Sequence, residues 1–93
     1  MRLKDFEQIA ILSTVKCLDQ NARIYLFGSR IDDTKKGGDI DLLVMSDSLT
    51  REDKRTIKIK LYALLGEQKI DIVLAADDSD PFVKLALETG VKL

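Results

Sequence analysis

The feature that most constrains the fold of this chain is the run Asp-Ile-Asp-Leu-Leu-Val-Met at positions 39–45. Side chains of a β-strand alternate between its two faces, so the residues after the second acid place apolar groups on both faces. One face takes Ile40, Leu42 and Val44, and the other takes Leu43 and Met45. A strand that is apolar on both faces has to be covered on both, so we expect it at the centre of a sheet.

The two acids that open this strand, Asp39 and Asp41, are separated by one residue. That spacing puts both carboxylates on one side of the strand, roughly 6.6–6.8 Å apart along the chain. A third acid, Asp71, lies within another apolar stretch, Ile-Asp-Ile-Val. Two unit charges about 5 Å apart repel by roughly 3 kcal/mol at an effective dielectric of 20. Gathered acids of this kind predict a bound cation; acids that merely end a strand at a solvated rim are the alternative.

The chain has no histidine and a single cysteine, Cys17. These counts exclude Ser–His and Cys–His catalytic pairs, His-ligated zinc and an internal disulfide within the chain. Any chemistry would therefore depend on carboxylates and a hard cation, for which Mg²⁺ is favoured and Mn²⁺ is the alternative. Two such ions would suit an in-line displacement at phosphorus.

A candidate anion site precedes the acids. Residues 23–27 predict a strand that ends at Gly28. The backbone N–H groups of the following turn, together with the Ser29 hydroxyl, can hold an anion. Gly-Ser turns are common, so the support for an anion site here comes from the position of this turn just before the acid pair. An anion cradle beside paired carboxylates is typical of a metal–nucleotide site.

The rest of the chain predicts a small α/β (α+β) layer of three strands with helices packed on it. The expected elements are a helix at 3–19, strands at 23–27, 39–45 and 70–74, a helix from the Thr50 cap to about residue 65, and a helix from Pro81 to Gly90. Helical spacing predicts that the buried, apolar face of the first helix contains Leu3, Phe6, Ala10 and Cys17. Ile11, Val15 and Leu18 widen this face. The same spacing predicts that the second helix buries Ile57, Leu61 and Leu64.

The length of 93 residues predicts one domain, residues 1–93. No apolar run approaches the length of a membrane span, and the amino-terminal residues have no signal-peptide core. With one cysteine, a reducing compartment, the cytoplasm, is expected. The net charge of −1 does not favour nucleic acid. Arg51, Arg55 and Lys58 share one side of the second helix, where a solvated face is favoured over a nucleic-acid patch or contact with an acidic partner.

The motif residues resemble a known family. Leu-Phe-Gly-Ser-Arg at 26–30, a short gap and Asp-Ile-Asp-Leu-Leu-Val at 39–44 look like the signature of the DNA polymerase β-like nucleotidyltransferase superfamily. The third carboxylate of that family matches Asp71. Size and the closing segment from Asp80 are similar to its minimal nucleotidyltransferases, so the likeness covers nearly the whole chain. Gly38 departs from the serine that many members place before the first acid.

This resemblance implies a nucleotidyltransferase fold with a small mixed sheet, and it implies roles for the acids. Asp39 and Asp41 would hold two metal ions, and Asp71 would complete the ion that activates the attacking hydroxyl. The reaction implied is attack of an acceptor hydroxyl on the α-phosphorus of a nucleoside triphosphate, with release of pyrophosphate. ATP is the nucleotide that we expect.

The resemblance also implies phosphate contacts. Gly28 and Ser29 would bind the β- and γ-phosphates of the nucleotide. Arg30 would contact phosphate or acceptor, with a solvated arginine as the alternative.

Minimal nucleotidyltransferases of this family are often paired with small helical proteins of the HEPN class, as antitoxins that adenylylate the toxin. The resemblance therefore implies a HEPN-type partner that carries the acceptor, while association between copies of the chain is left open. Two alternatives stand beside it. One is a non-catalytic antitoxin that acts by direct contact; the other is transfer to a free small molecule.

Overall fold

The computed structural model describes residues 3–28, 39–66 and 68–93, and these form three helices and four strands. In chain order the elements are α1 (Asp5–Leu18), β1 (Arg23–Phe27), β2 (Ile40–Met45), α2 (Arg51–Leu65), β3 (Ile70–Ala75), α3 (Pro81–Thr89) and β4 (Val91–Lys92). The predicted α+β layer is confirmed. Each predicted helix and strand begins and ends within two residues of the observed one.

The four strands form one mixed sheet in the order β3-β2-β1-β4. β1 is antiparallel to both β2 and β4, whereas β2 and β3 are parallel and joined through α2. A parallel pair needs such a crossover, because the chain must return to the end of the sheet where it started. β2 is an internal strand with residues 42–45 all buried, as its apolar faces predict.

The strand β4 was missing from the prediction of three strands. Val91 pairs with Leu26 and Lys92 pairs with Tyr25, which adds a fourth strand beside β1. Two residues are too short for an alternating pattern, so this strand is defined by its pairing with β1 and not by its own sequence.

Two apolar layers cover the sheet, one on each face. The larger layer lies under α1 and α2 and includes Ile11, Val15, Ile24, Leu26, Ile40, Leu42, Val44, Ile57, Leu61, Ile70 and Ile72. The smaller layer lies under α3 and includes Leu43, Met45, Val83 and Ala86, with Phe27 and Val73 packed against it. Alternate residues of β2 enter different layers, which confirms the predicted faces. Asp41 and Asp71 therefore project on the α3 side.

The face that α1 buries differs from the prediction. The buried residues are Glu7, Ile11, Thr14 and Val15. Phe6 is 56% exposed, Leu18 is 38% exposed and Cys17 is exposed, so the expectation that these three are buried was wrong. Cys17 lies two residues beyond Val15, roughly 200° around the helix, which turns its side chain away from the sheet.

In α2 the buried row is Ile57, Leu61 and Leu65, not Leu64, which is 58% exposed. The observed row has a uniform spacing of four residues, and side chains four apart lie above one another on the same face of a helix. Arg51, Arg55 and Lys58 do share one side of α2, where they line a surface groove with Lys54.

None of the helices in the described ranges could span a membrane. The longest of them, α2, has 15 residues, whereas a transmembrane helix needs about 20 apolar residues.

The amino terminus of α2 is closed by a reciprocal cap. Thr50 Oγ1 accepts a hydrogen bond from the Asp53 N–H at 3.3 Å, and Asp53 Oδ2 accepts one from the Thr50 N–H at 2.8 Å. Each bond satisfies a backbone donor that the helix itself leaves without a partner.

We predict that Thr50→Ala lowers the free energy of unfolding by about 1 kcal/mol, because one of these donors loses its acceptor. Urea unfolding followed by circular dichroism measures the change. Thr56→Ala, at an exposed position of the same helix, is the matched control and should not destabilise the protein. Equal losses in the two variants would contradict the prediction.

Candidate active site

The predicted carboxylates lie at the end of the sheet where β2 and β3 begin and β1 ends. Asp41 is the second residue of β2, and Asp71 is the second residue of β3. The two are direct partners in the parallel ladder, in which neighbouring strands lie about 4.8 Å apart. On its other side Asp41 is paired with Phe27. The structure therefore brings Asp41 and Asp71 together, on the face of the sheet that carries α3.

This pair places two negative charges directly opposite each other, which is unfavourable in a sheet. Burial raises the pKa of the Asp41 carboxyl above its usual range, and the charges of Asp71 and Asp39 raise it further. Lys69 acts in the opposite direction without cancelling the rise. The site is therefore short of positive charge, which is the condition that favours a bound cation.

Asp39 directly precedes β2, and its carboxylate is paired with a lysine. Lys69 Nζ lies 3.5 Å from Asp39 Oδ2. The sequence interpretation did not include Lys69. The signal for it is its spacing: Lys69 stands two residues before Asp71, as Asp39 stands two before Asp41, so the register of β2 with β3 brings Lys69 beside Asp39.

The donor groups at this end of the sheet are of the kind that suits a hard cation. Within the parts of the chain that are described, no three Asp, Glu, His or Cys side chains are grouped so that they could hold a metal ion. Asp41 and Asp71 nevertheless supply adjacent carboxylate oxygens with unbalanced charge, the kind of ligand that Mg²⁺ prefers. The third predicted ligand, Asp39, is paired with Lys69 through Oδ2.

Gly28 is required at the end of β1 for two separate reasons. Its φ of +77° lies in the left-handed region, which side-chain-bearing residues avoid. In addition, a Cβ at this position would overlap Asp41 Oδ2 and lie 3.3 Å from Asp41 Cγ. The backbone of β1 can therefore approach the carboxylate only because residue 28 has no side chain. Ser29 and Arg30 lie outside the described residues, and their predicted phosphate contacts stay predictions.

A polar cavity of about 190 Å³ lies at the opposite end of the sheet, lined in part by Asp19, Ser46 and Asp47. Ser46 Oγ donates to Asp19 Oδ2 at 2.5 Å. That bond, with the Asn21 N–H, lowers the pKa of the Asp19 carboxyl. The charge of Asp19 is thus already stabilised by donors of the chain, unlike the charge of Asp41.

One comparison with known proteins identifies a family. A family model described as "Polymerase beta, Nucleotidyltransferase" matches residues 10–93. The matched stretch contains Gly28, Asp39, Asp41, Lys69 and Asp71. No curated protein matches the chain.

We predict that Asp41→Asn stabilises the metal-free protein at pH 7, by about 1 kcal/mol, because it removes a poorly compensated charge. The folded state raises the pKa of Asp41. Ionised Asp41 therefore destabilises the fold above that pKa, and protonation relieves the effect as the pH falls through it. The gain should accordingly shrink on acidification.

Thermal unfolding in a chelator, from pH 7 down to pH 4, measures this effect. Asp47→Asn, which removes an exposed acid at the opposite end of the sheet, is the charge-matched control. A wild-type protein that is more stable than Asp41→Asn at pH 7 would contradict the prediction.

We also predict that Gly28→Ala and Gly66→Ala both destabilise the fold, by about 1–3 kcal/mol, because both glycines have a positive φ. Only Gly28→Ala should also abolish Mn²⁺ binding. A Cβ at Gly66 meets nothing within 4 Å, whereas one at Gly28 displaces the Asp41 carboxylate. Calorimetric titration with Mn²⁺ distinguishes the two variants, and loss of binding in both would contradict the assigned contact.

Proposed function

The chain belongs to the polymerase β nucleotidyltransferase family, and from that premise we propose that it transfers AMP from ATP to a hydroxyl group on a partner protein. The observation that carries the proposal is the pairing of Asp41 with Asp71, beside the close backbone approach of Gly28. A carboxylate pair short of positive charge, next to a glycine whose backbone a phosphate can approach, suits a metal-bound triphosphate.

In this proposal Asp39, Asp41 and Asp71 hold Mg²⁺, for which Mn²⁺ is the alternative. When bound there, the metal supplies polarisation of the α-phosphate and a lower pKa of the acceptor hydroxyl. Asp41 is central to the arrangement, because it lies between Gly28 and Asp71.

The rest of the proposed reaction depends on positioning. Gly28 brings the backbone to the triphosphate, and Ser29 and Arg30 supply further contacts to its phosphates. The acceptor hydroxyl loses its proton to solvent and its oxygen forms a bond to the α-phosphorus, while the bond from that phosphorus to the oxygen bridging to the β-phosphate breaks. Pyrophosphate is the leaving group, and AMP remains on the acceptor.

We propose a HEPN-type helical protein in the cytoplasm as the partner and acceptor, with this chain as the antitoxin of the pair. The outer surfaces of α1 and α2 support contact with a protein, because they expose several large apolar side chains. These are Phe6 at 56%, Ile9 at 66%, Ile59 at 60% and Leu64 at 58%. Apolar side chains that are exposed together in one patch are typical of protein–protein contact, whereas single exposed ones are normal.

We predict that Asp41→Asn abolishes nucleotidyl transfer while the fold is retained. Transfer of label from α-labelled ATP to the copurified partner, in the presence of Mg²⁺, measures the activity. Asp47→Asn removes the same charge from the other end of the sheet and should remain active. An active Asp41→Asn variant with a native circular dichroism spectrum would contradict the mechanism.

A second function, partner neutralisation by contact alone, is favoured by one observation. The carboxylate of Asp39 is already paired with the ammonium group of Lys69. Mg·ATP separates the two functions. Mg·ATP at 100 times its dissociation constant should stabilise a nucleotide-binding protein by about 2.7 kcal/mol. The unfolding midpoint of a protein that acts only by contact would not change.

A further inference from the structure

Lys69 and Asp39 form an oppositely charged row directly beside the like-charged row of Asp41 and Asp71. The Ile40 N–H donates to the Lys69 carbonyl at 3.0 Å, which fixes the backbone of Lys69 next to the start of β2. Residues two apart in a strand project on the same side. Three carboxylates and one ammonium therefore share this side of the sheet, with a net charge of −2.

The ion pair between Lys69 and Asp39 is exposed to solvent and can be broken at low cost. The side chains of Lys69 and Asp39 are 68% and 41% exposed, and Nζ lies 3.5 Å from Oδ2. Exposed pairs contribute little to stability, because water screens them and both side chains lose freedom. A lysine so placed reduces the repulsion at the site in the metal-free protein, yet it can leave Asp39 at low cost.

We propose that Lys69 is a positioning residue that acts as an internal counter-ion: it pairs with Asp39 in the metal-free protein and releases that carboxylate when a divalent cation binds. The proposal rests on the proposed function, because it takes Asp39 and Asp41 as ligands of the cation. It adds that the side chain which reduces the repulsion among the carboxylates also competes with the metal for Asp39.

Competition predicts two opposite effects of removing the ammonium. Lys69→Gln should lower the thermal midpoint of the metal-free protein, because the three carboxylates lose their only identified counter-charge among the described residues. The same variant should bind a divalent cation more tightly, because Asp39 no longer has to be released. If Lys69 had a merely structural role, Lys69→Gln would lower both the thermal midpoint and the affinity for the cation. If Lys69 served only to bind phosphate, the substitution would not change the affinity for the cation measured without nucleotide.

The experiment is calorimetric titration with Mn²⁺ in the absence of nucleotide, together with thermal unfolding in a chelator and in saturating Mn²⁺. We expect Lys69→Gln to bind Mn²⁺ about two- to fivefold more tightly, the range that corresponds to loss of one exposed ion pair. Lys69→Arg keeps the charge and should behave like the wild type. Lys16→Gln, an exposed lysine in the last turn of α1, controls for the change in net charge.

A second pair of variants separates direct competition from a general field effect. In an Asp39→Asn background the Lys69→Gln substitution should no longer change Mn²⁺ affinity, because the competing carboxylate is gone. A persistent gain there, or unchanged or weaker binding in Lys69→Gln alone, would overturn the proposal for Lys69. Absence of any Asp41-dependent Mn²⁺ binding in the wild type would overturn the proposed function as well.

Discussion

The candidate site depends on a pair of like charges, Asp41 and Asp71, which an otherwise apolar sheet holds opposite each other. The pairing is a consequence of register. Neighbouring apolar residues align Ile40 with Ile70 and Leu42 with Ile72 in the layer under α1 and α2. A slip of β3 by one residue would turn Asp71 into that layer. Apolar burial thus holds the two acids together against their repulsion.

The same register explains why the charged groups collect at one end of the sheet. Each row further along β2 and β3 is apolar on the α3 side, where Leu43 and Val73 pack with α3. Polar groups at the opposite end are bonded to each other, as Ser46 is to Asp19. The rows at the start of β2 and β3 carry acids whose charge the chain compensates incompletely, and Gly28 lets the end of β1 reach them. An apolar scaffold therefore presents an acidic site whose charge is incompletely compensated, and this supports the proposed metal-dependent transfer.

Much of this arrangement could be predicted from the sequence, because it depends on local periodicity. Alternation along residues 39–45 predicted that β2 is central and apolar on both faces, and the cap at Thr50 predicted the start of α2. The structure shows that Asp41 and Asp71 are adjacent, as a shared site requires. Their roles as metal ligands, and those of Asp39, Ser29 and Arg30 in the reaction, stay predictions.

What could not be predicted depends on relations between segments. Pairing of Lys69 with Asp39 follows from the register of two strands separated by α2, and the spacing of Lys69 from Asp71 indicates it only once that register is known. The short strand β4 exists only through its pairing with β1. The choice of Leu65 over Leu64, and the exposure of Cys17, follow from how each helix is rotated on the sheet. A periodic pattern defines an apolar face only to within about one residue of rotation.

The measurement that tests the central claim most directly is the intact mass of the protein that copurifies with this chain, before and after incubation with Mg·ATP. Nucleotidyl transfer predicts that the partner gains the mass of one or more adenosine monophosphates, and that the gain requires Asp41. A stable partner whose mass does not change, although the chain binds Mg·ATP, would contradict transfer to that partner. If the chain also fails to bind Mg·ATP, the carboxylate pair has no catalytic role. Neutralisation of the partner by contact would then replace nucleotidyl transfer as the proposed function.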